Sequence, residues 1–185
     1  GRARKRDFID PIVLDKSRFD GLIAHTSELS FAIGPIARLD VPNLLDHLDR
    51  YPYGCAEQVS SRAMPLLYLN DVAVSLGLGT DDALNQRIKD AIADILTHQT
   101  STGGFGLWGP YDQTDLWLDS YVTDFLQRAK AKGFVVPDQA MSNALDNLGN
   151  QVSAATDFDK GGEDLAYALY DLARGSRAAI GDLRY

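Results

Sequence analysis

The sequence predicts a mainly α-helical domain built from repeated helical hairpins. Apolar side chains recur at helical spacing in five stretches, which we place at residues 55–76, 81–98, 114–132, 137–149 and 162–174. Glycine-containing turns end several of these stretches, as is common at helix C-termini. Two of the helices share a weak repeat with an offset of about 50 residues, which is typical of helical arrays. The repeated positions are Asp115, Leu116 and Tyr121, and Asp164, Leu165 and Tyr170.

The helix predicted at residues 81–98 illustrates how these elements are recognised. Thr80 or Asp81 suits its N-cap, and its apolar residues fall on one face of the helix. That face carries Leu84, Ile88, Ala91, Ile92 and Ile95. The preceding helix ends at Gly77-Leu78-Gly79, and Gly175 closes the last one.

The chain before residue 51 has a different pattern. Residues 7–37 are predicted to be extended, because part of this segment alternates with a period of two up to Gly34-Pro35. Asp40 is a good N-cap residue, and from there the spacing becomes helical. The short apolar stripe that follows contains Leu44, Leu45 and Leu48.

Composition and charge restrict the class of protein. The chain has 185 residues, of which 45% are hydrophobic and 24% charged, which suits one globular domain. Its formal net charge of −8 disfavours nucleic acid and anionic membranes as partners, because both require an excess of Lys and Arg. No run approaches the ~20 apolar residues of a membrane span. A single cysteine cannot form an intrachain disulfide.

The single cysteine, Cys55, stands three residues before Gln58 in the run Tyr-Pro-Tyr-Gly-Cys-Ala-Glu-Gln. Positions i and i+3 share one face of a helix, so the Cys55 sulfur can reach the Gln58 side-chain carbonyl. Loss of ammonia would then give an internal β-cysteinyl-γ-glutamyl thioester, which is a stored acyl donor. Gly54 suits a sharp turn into the helix. A helix N-terminus favours a thiolate, which is also the better leaving group.

Two other interpretations of Cys55 stay open on these residues alone. A free cysteine often behaves as a small buried hydrophobe, which would leave a plain helical interaction domain. A cysteine protease would need a base within hydrogen-bond reach of the sulfur. The chain offers only His25, His47 and His98, and none has supporting context.

Residues 48–68 resemble the thioester region of bacterial alpha-2-macroglobulins, which are relatives of complement C3. The Cys-x-Glu-Gln core is common to that superfamily, and the flanking Tyr-Pro-Tyr-Gly and Ser-Arg-x-x-Pro-Leu-Leu-Tyr point to the bacterial branch. The resemblance extends more loosely from about Ser30 to the C-terminus. Because macroglobulins are much longer, it implies an excised piece with a partial α/α toroid of helical hairpins. Residues 1–38 would be a linker and strand of a neighbouring β-sandwich domain, and residues 39–185 the N-terminal half of the thioester domain.

The function that this resemblance implies is covalent protease trapping. A protease would cut a bait region elsewhere, the molecule would rearrange, and the Cys55–Gln58 thioester would acylate a lysine of the protease. The reaction turns over once, so the protein would not be an enzyme, and no cofactor or metal is implied. Its partners would be target proteases and the other domains of the longer protein. The resemblance also implies a periplasmic protein with a membrane anchor elsewhere, and uncovered toroid edges would allow the piece to self-associate.

The residues next to the motif also carry expectations. Tyr51, Tyr53 and Met64 are expected to shield the thioester from water. Glu57 is expected to be a favourable first-turn charge without a catalytic role. Complement proteins that prefer hydroxyl targets use a downstream histidine, and no histidine follows His98. Direct aminolysis by lysine is therefore expected.

Other patterns have simpler explanations. The run at residues 104–109 matches G-x-G-x-x-G, but it follows a helix and meets Pro110, which argues against a dinucleotide site. We expect Gln99 and Trp108 to pack around this glycine-rich loop. Residues 157–164 resemble the start of a calcium loop but lack its twelfth-position Glu. The helix that follows the glycine-rich loop is expected to bury Trp117, Leu118 and Tyr121.

A catalytic α/α toroid, of the glycosidase or prenyl-transfer type, is a further alternative. It would need two carboxylates at a working separation, or a set of metal ligands. The Asp residues are scattered along the predicted helices and form no convincing pair in the sequence.

Overall fold

The structure is a computed structural model that describes residues 54–75, 82–155 and 162–177. These residues form five α-helices: α1 (Ala56–Ser75), α2 (Asp82–Thr97), α3 (Leu116–Ala131), α4 (Asp138–Ala154) and α5 (Gly162–Arg174). The mainly α prediction is confirmed. The predicted extended segment, the stripe at residues 44–48, the boundary at residue 38 and residues 157–161 of the calcium-like run lie outside the described residues.

The helix ends agree closely with the sequence patterns, except at the C-terminus of α4. The pattern placed that end at Gly149, whereas α4 continues to Ala154, because a lone glycine is tolerated inside a helix. A Cβ at Gly149 would lie 4.0 Å from Leu172 Cδ2, so this residue adjoins α5. At the start of α3, the Asp115 carboxylate caps the helix by accepting the Leu118 N–H at 3.1 Å.

Side-chain pairs show that α1, α3 and α5 run in the same direction. Two pairs join α1 to α3 with the same 60-residue separation, and two pairs join α3 to α5 with separations of 42 and 43 residues. A nearly constant separation along both helices requires that they run parallel. The pairs are Ser61–Tyr121, Tyr68–Arg128, Arg128–Tyr170 and Asp124–Tyr167.

The intervening helices run the opposite way, since Asp94 near the end of α2 lies beside Gly54 at the start of α1, and α4 is fixed by two pairs. Gln151, late in α4, bonds Asp119 near the start of α3, whereas Asp138 at the start of α4 bonds Lys130 near the end of α3. Parallel helices that alternate with antiparallel ones form the two layers of an α/α toroid, and the predicted toroid of hairpins is confirmed.

Helix α3 is the centre of the described structure, because it packs against each of the other four helices. Its apolar core residues are Leu118, Val122, Phe125, Leu126 and Ala129. The prediction that Leu118 is buried is confirmed, but the prediction for Trp117 is wrong. Trp117 is 41% exposed and stacks on Tyr121 with ring centroids 5.2 Å apart. It stands in the first turn of α3, where the helix meets solvent.

Residues 98–115, here called the rim loop, connect α2 to α3. Isolated antiparallel bridges join Gln99 to Phe105 and Gly106 to Thr114, so the loop folds back on itself. Because α1, α3 and α5 are parallel, their N-termini lie at one end of the toroid, and the rim loop contacts that end. No helix in the described part of the chain is long and apolar enough to cross a membrane.

Candidate functional site

Cys55 lies at the N-terminus of α1, directly before its first residue. Its backbone carbonyl accepts the Val59 N–H at 3.0 Å, which makes Cys55 the N-cap residue and Gln58 the third residue of the helix. In this arrangement the side chain at the third position can reach back to the N-cap residue. The structure therefore places the two residues in the relation that the sequence predicted, and Cys55 is only 4% exposed.

The Gln58 side chain has an unusual environment. Its Oε1 atom is buried and has no hydrogen-bond partner among the described residues. A buried amide oxygen without a partner costs about 1–3 kcal/mol. A thioester carbonyl is a weaker hydrogen-bond acceptor than an amide, because sulfur donates less electron density to the carbonyl than nitrogen does. The same position therefore suits a thioester oxygen better than a carboxamide oxygen.

Gly54 does not serve as a strained turn. It is exposed, and its φ lies outside the left-handed region. A Cβ on Gly54 would meet only Asp94 Oδ2, at an ordinary contact distance of 3.9 Å. Gly54 therefore leads into α1 without a backbone conformation or a close contact that only glycine allows.

The rim loop holds the first turn of α1 in place. The Ala56 N–H, directly after Cys55, donates to the Leu107 carbonyl at 2.8 Å. The adjacent residue of the loop is fixed in turn, because the Gly106 N–H donates to the His98 carbonyl at 3.0 Å, and His98 Nδ1–H donates to the Gly106 carbonyl at 3.1 Å. His98 is buried and has a structural role in this loop.

The packing expected for the rim loop is partly correct. Gln99 Nε2 donates to the carbonyls of Gly103 and Ala140, at 3.1 and 2.9 Å, and so ties the loop to α4. Trp108, by contrast, is 62% exposed, and the aromatic residue that fills the interior is Phe105. As the sequence indicated, the run at residues 104–109 lies between two helices and not between a strand and a helix.

Glu57 belongs to a polar network that reaches α3. Ser61 Oγ donates to Glu57 Oε1 at 2.8 Å and lies 3.0 Å from the Tyr121 hydroxyl. Glu57 stands in the first turn, where its charge favours the helix. The spacing of Glu57 and Ser61 is visible in the sequence, but the approach of Tyr121 from α3 is not.

The proposed shielding residues are only partly described. Tyr51 and Tyr53 lie outside the described residues. Met64 is half-buried on α1, six residues beyond Gln58, which is about 9 Å along the axis at the α-helical rise. Among the described residues, those of the rim loop approach the first turn of α1 directly.

Two buried carboxylates face each other across α3 and α5. Asp124 pairs with Arg128 Nε at 2.8 Å and with Arg174, and it accepts the Tyr167 hydroxyl at 3.1 Å. Burial, followed by the charge of Asp124, raises the pKa of Tyr167. Burial and Asp124 also raise the pKa of Asp171 to about 8. Sequence analysis missed this pair, because the two residues lie on different helices.

The carboxylate pair does not form a glycosidase site. Asp124 is saturated by arginine and tyrosine, and Asp171 is 0% exposed, so neither group is accessible to a sugar. Among the described residues, no group of three or more His, Cys, Asp or Glu side chains could hold a metal ion.

A toroid of helical hairpins with Cys-x-x-Gln at the start of one of its helices defines the class of thioester domains. The family model described as the A-macroglobulin TED domain matches residues 27–166. The chain belongs to this family.

Several bacterial alpha-2-macroglobulins are similar to this chain. That of Xylella fastidiosa strain Temecula1 is 29% identical over 194 residues, covering 99% of this chain and 12% of the relative. The native conformation of E. coli alpha-2-macroglobulin matches with a TM-score of 0.65 and 30% identity, covering 77% of this chain and 10% of that one. A Salmonella alpha-2-macroglobulin reacted with methylamine matches with a TM-score of 0.64 and 32% identity, covering 77% and 10%. The chain therefore spans about a tenth of the length of these relatives.

Proposed function

We propose that Cys55 and Gln58 form an internal thioester, and that this bond traps attacking proteases covalently. The observation that carries the proposal is the N-cap position of buried Cys55 with Gln58 at the third helical position, its amide oxygen buried without a partner. Residues three apart at the start of a helix share one face, and a nucleophile and a carbonyl held on that face have a raised effective concentration.

Formation of the thioester is a balanced acyl transfer. The Cys55 sulfur attacks the Gln58 side-chain carbonyl carbon, the C–N bond breaks, and ammonia leaves. A lysine amine of the target later attacks the same carbon, an amide bond forms, and Cys55 leaves as a thiol. The target is then joined through the Gln58 acyl group. Each molecule reacts once, which is the behaviour of a suicide inhibitor and not of an enzyme.

The position at the start of α1 favours the second step. The N-terminus of a helix carries a partial positive charge, which stabilises the developing negative charge on the sulfur as it leaves. Burial of Cys55 keeps water away from the bond, and this limits hydrolysis while the site is closed. A conformational change that opens this end of the toroid would therefore switch the bond from latent to reactive.

The wider function follows from the relatives and is proposed for this chain. The Salmonella relative is described as reacted with methylamine, which is a small amine nucleophile of the kind that opens thioesters. We extend this chemistry to protein lysines, with target proteases and the remaining domains of a longer protein as partners. A periplasmic, membrane-anchored protein that defends the cell against proteases is the setting that we propose.

Intact-mass analysis and thiol titration test the thioester directly. The native protein should lack the mass of one ammonia and show no titratable Cys55 thiol. Methylamine should then add its own mass and release one thiol per molecule. The matched control is Gln58→Asn, whose side chain is one methylene shorter and cannot close the same ring. A native thiol equal to that of the control, with no ammonia deficit, would contradict the proposal.

A further inference from the structure

Asp119 is a buried carboxylate at the start of α3 that joins three parts of the fold. It accepts the backbone N–H of Phe105 at 2.6 Å, Asn147 Nδ2 at 2.8 Å and Gln151 Nε2 at 2.7 Å. The side chain is 1% exposed. Burial raises the pKa of Asp119, and the three N–H donors oppose that rise. The carboxylate thus ties the rim loop to α3 and α4.

The backbone of the rim loop lies directly against this carboxylate at Gly104. A Cβ at Gly104 would lie 2.8 Å from each of the two Asp119 oxygens and 2.8 Å from Thr114 Cγ2. Real Cβ atoms do not come that close, so only glycine lets the backbone lie against the carboxylate. The Phe105 side chain is fully buried next to it, which leaves the loop little freedom to move.

The same loop ends at the reactive turn. Two residues after Phe105, the Leu107 carbonyl accepts the N–H of Ala56, which is covalently attached to Cys55. The Gly106 backbone between them is fixed by two hydrogen bonds to His98. The backbone of residues 105–107 therefore links Asp119 to the first N–H of α1, and each of these three residues is held by a hydrogen bond.

We propose that Asp119 is a positioning residue for the Cys55–Gln58 thioester, acting through the rim loop on the Ala56 N–H. The effect on thioester hydrolysis rests on the proposed function, whereas the effect of Asp119 on the rim loop and the Ala56 N–H does not. If Asp119 fixes the loop, the first turn of α1 stays closed, and water is kept from the thioester carbonyl. If the carboxylate is lost, the loop loosens and the Ala56 N–H loses its acceptor.

The first variant is Asp119→Asn in the intact protein. One oxygen can still accept the Phe105 N–H, but the new NH₂ group faces the amide donors of Asn147 and Gln151, and this leaves buried groups unpaired. We expect spontaneous hydrolysis of the thioester to accelerate by about tenfold or more, since the unpaired buried groups make it easier for the loop to open and admit water. The second variant adds Gln151→Glu, which restores one carboxylate–amide pair and should recover much of the wild-type rate.

The control variant Leu148→Ala, together with the double variant, separates positioning from general loss of stability. Leu148→Ala removes a fully buried side chain of α4 that has no polar group to hydrogen-bond the rim loop, and it should lower the melting temperature because it leaves a cavity. It should accelerate hydrolysis much less than Asp119→Asn does at an equal loss of melting temperature. Equal acceleration by the two variants, or no recovery with Gln151→Glu, would overturn the positioning role.

Amide hydrogen exchange at Ala56 distinguishes failure of this inference from failure of the proposed function. Exchange should accelerate in Asp119→Asn and recover in the double variant, whether or not a thioester is present. Wild-type protein without a thioester, but with this exchange pattern, would contradict only the proposed function. Unchanged Ala56 exchange in Asp119→Asn would overturn the inference even if the thioester is intact.

Discussion

Asp171 should make the interface between α3 and α5 less stable as the pH rises. The side chain is 0% exposed, and neither carboxylate oxygen has a hydrogen-bond partner among the described residues. Desolvation and the charge of Asp124 raise its pKa to about 8, and Arg174 and Arg128 only partly oppose this. At neutral pH the folded protein therefore holds Asp171 as the neutral acid.

The direction of the pH effect follows from the raised pKa. Below pH 4 the carboxyl is protonated in both the folded and the unfolded chain, so its ionisation costs nothing. Between about pH 4 and pH 8 the unfolded chain ionises while the folded chain does not, and stability falls as the pH rises. Above pH 8 both states are ionised, and the loss is complete.

The variant Asp171→Asn should remove this dependence, because asparagine resembles the neutral acid and does not ionise. At 1.36 kcal/mol per pKa unit, the shift from 3.8 to about 8 sets an upper bound of about 6 kcal/mol. Local opening and water entry reduce the gain. We therefore expect the variant to be more stable by about 1–3 kcal/mol at pH 8 and unchanged near pH 4.

Amide hydrogen exchange within α5 is the assay, since comparison of variant and wild type at one pH cancels the intrinsic exchange rate. The matched control is Asp146→Asn, which changes an exposed carboxylate of α4 that pairs with Arg177. It should shift α5 exchange by less than about 0.5 kcal/mol. A variant at Asp171 that is destabilised at pH 8, or stabilised equally at pH 4 and pH 8, would refute the reasoning.

Three further predictions concern the site and its loop. Gln58→Asn should abolish methylamine-dependent thiol release, and stoichiometric release from this variant would contradict the proposed Cys55–Gln58 thioester. Ser61→Ala removes the hydroxyl between Glu57 and Tyr121 and should cost about 1 kcal/mol in denaturant unfolding, and an unchanged midpoint would show the network to be solvated. Gly103→Ala should destabilise the rim loop, because φ is +96° and the new Cβ would lie 2.2 Å from a backbone oxygen of α4. Wild-type protease resistance of that loop would contradict it.

Most of the helical structure could be predicted from local sequence patterns. Periodicity predicted the five helices of the described residues because apolar side chains recur at helical spacing within each single segment. The same locality explains Cys55 and Gln58, which are three residues apart and need only one helical turn to meet. It also explains the error at α4, since Gly149 gives the same signal inside a helix as at its end.

Features that depend on contacts between helices could not be predicted. Asp119 has the sequence context of an ordinary first-turn charge, and only the fold shows that Phe105 and α4 converge on it. The sequence predicts a buried Trp117, but its position in the first turn of α3 leaves it at the rim. The pairing of Asp124 with Arg174 depends on the register of α3 and α5, which packing sets.

The most direct test of the account is the mass of the peptide that contains residues 55–58, isolated from native protein under conditions that preserve thioesters. The account predicts a peptide lighter than its sequence by one ammonia, with Cys55 resistant to alkylation until methylamine is added. A peptide of full sequence mass, with Cys55 alkylated at once and Gln58 still an amide, would contradict it.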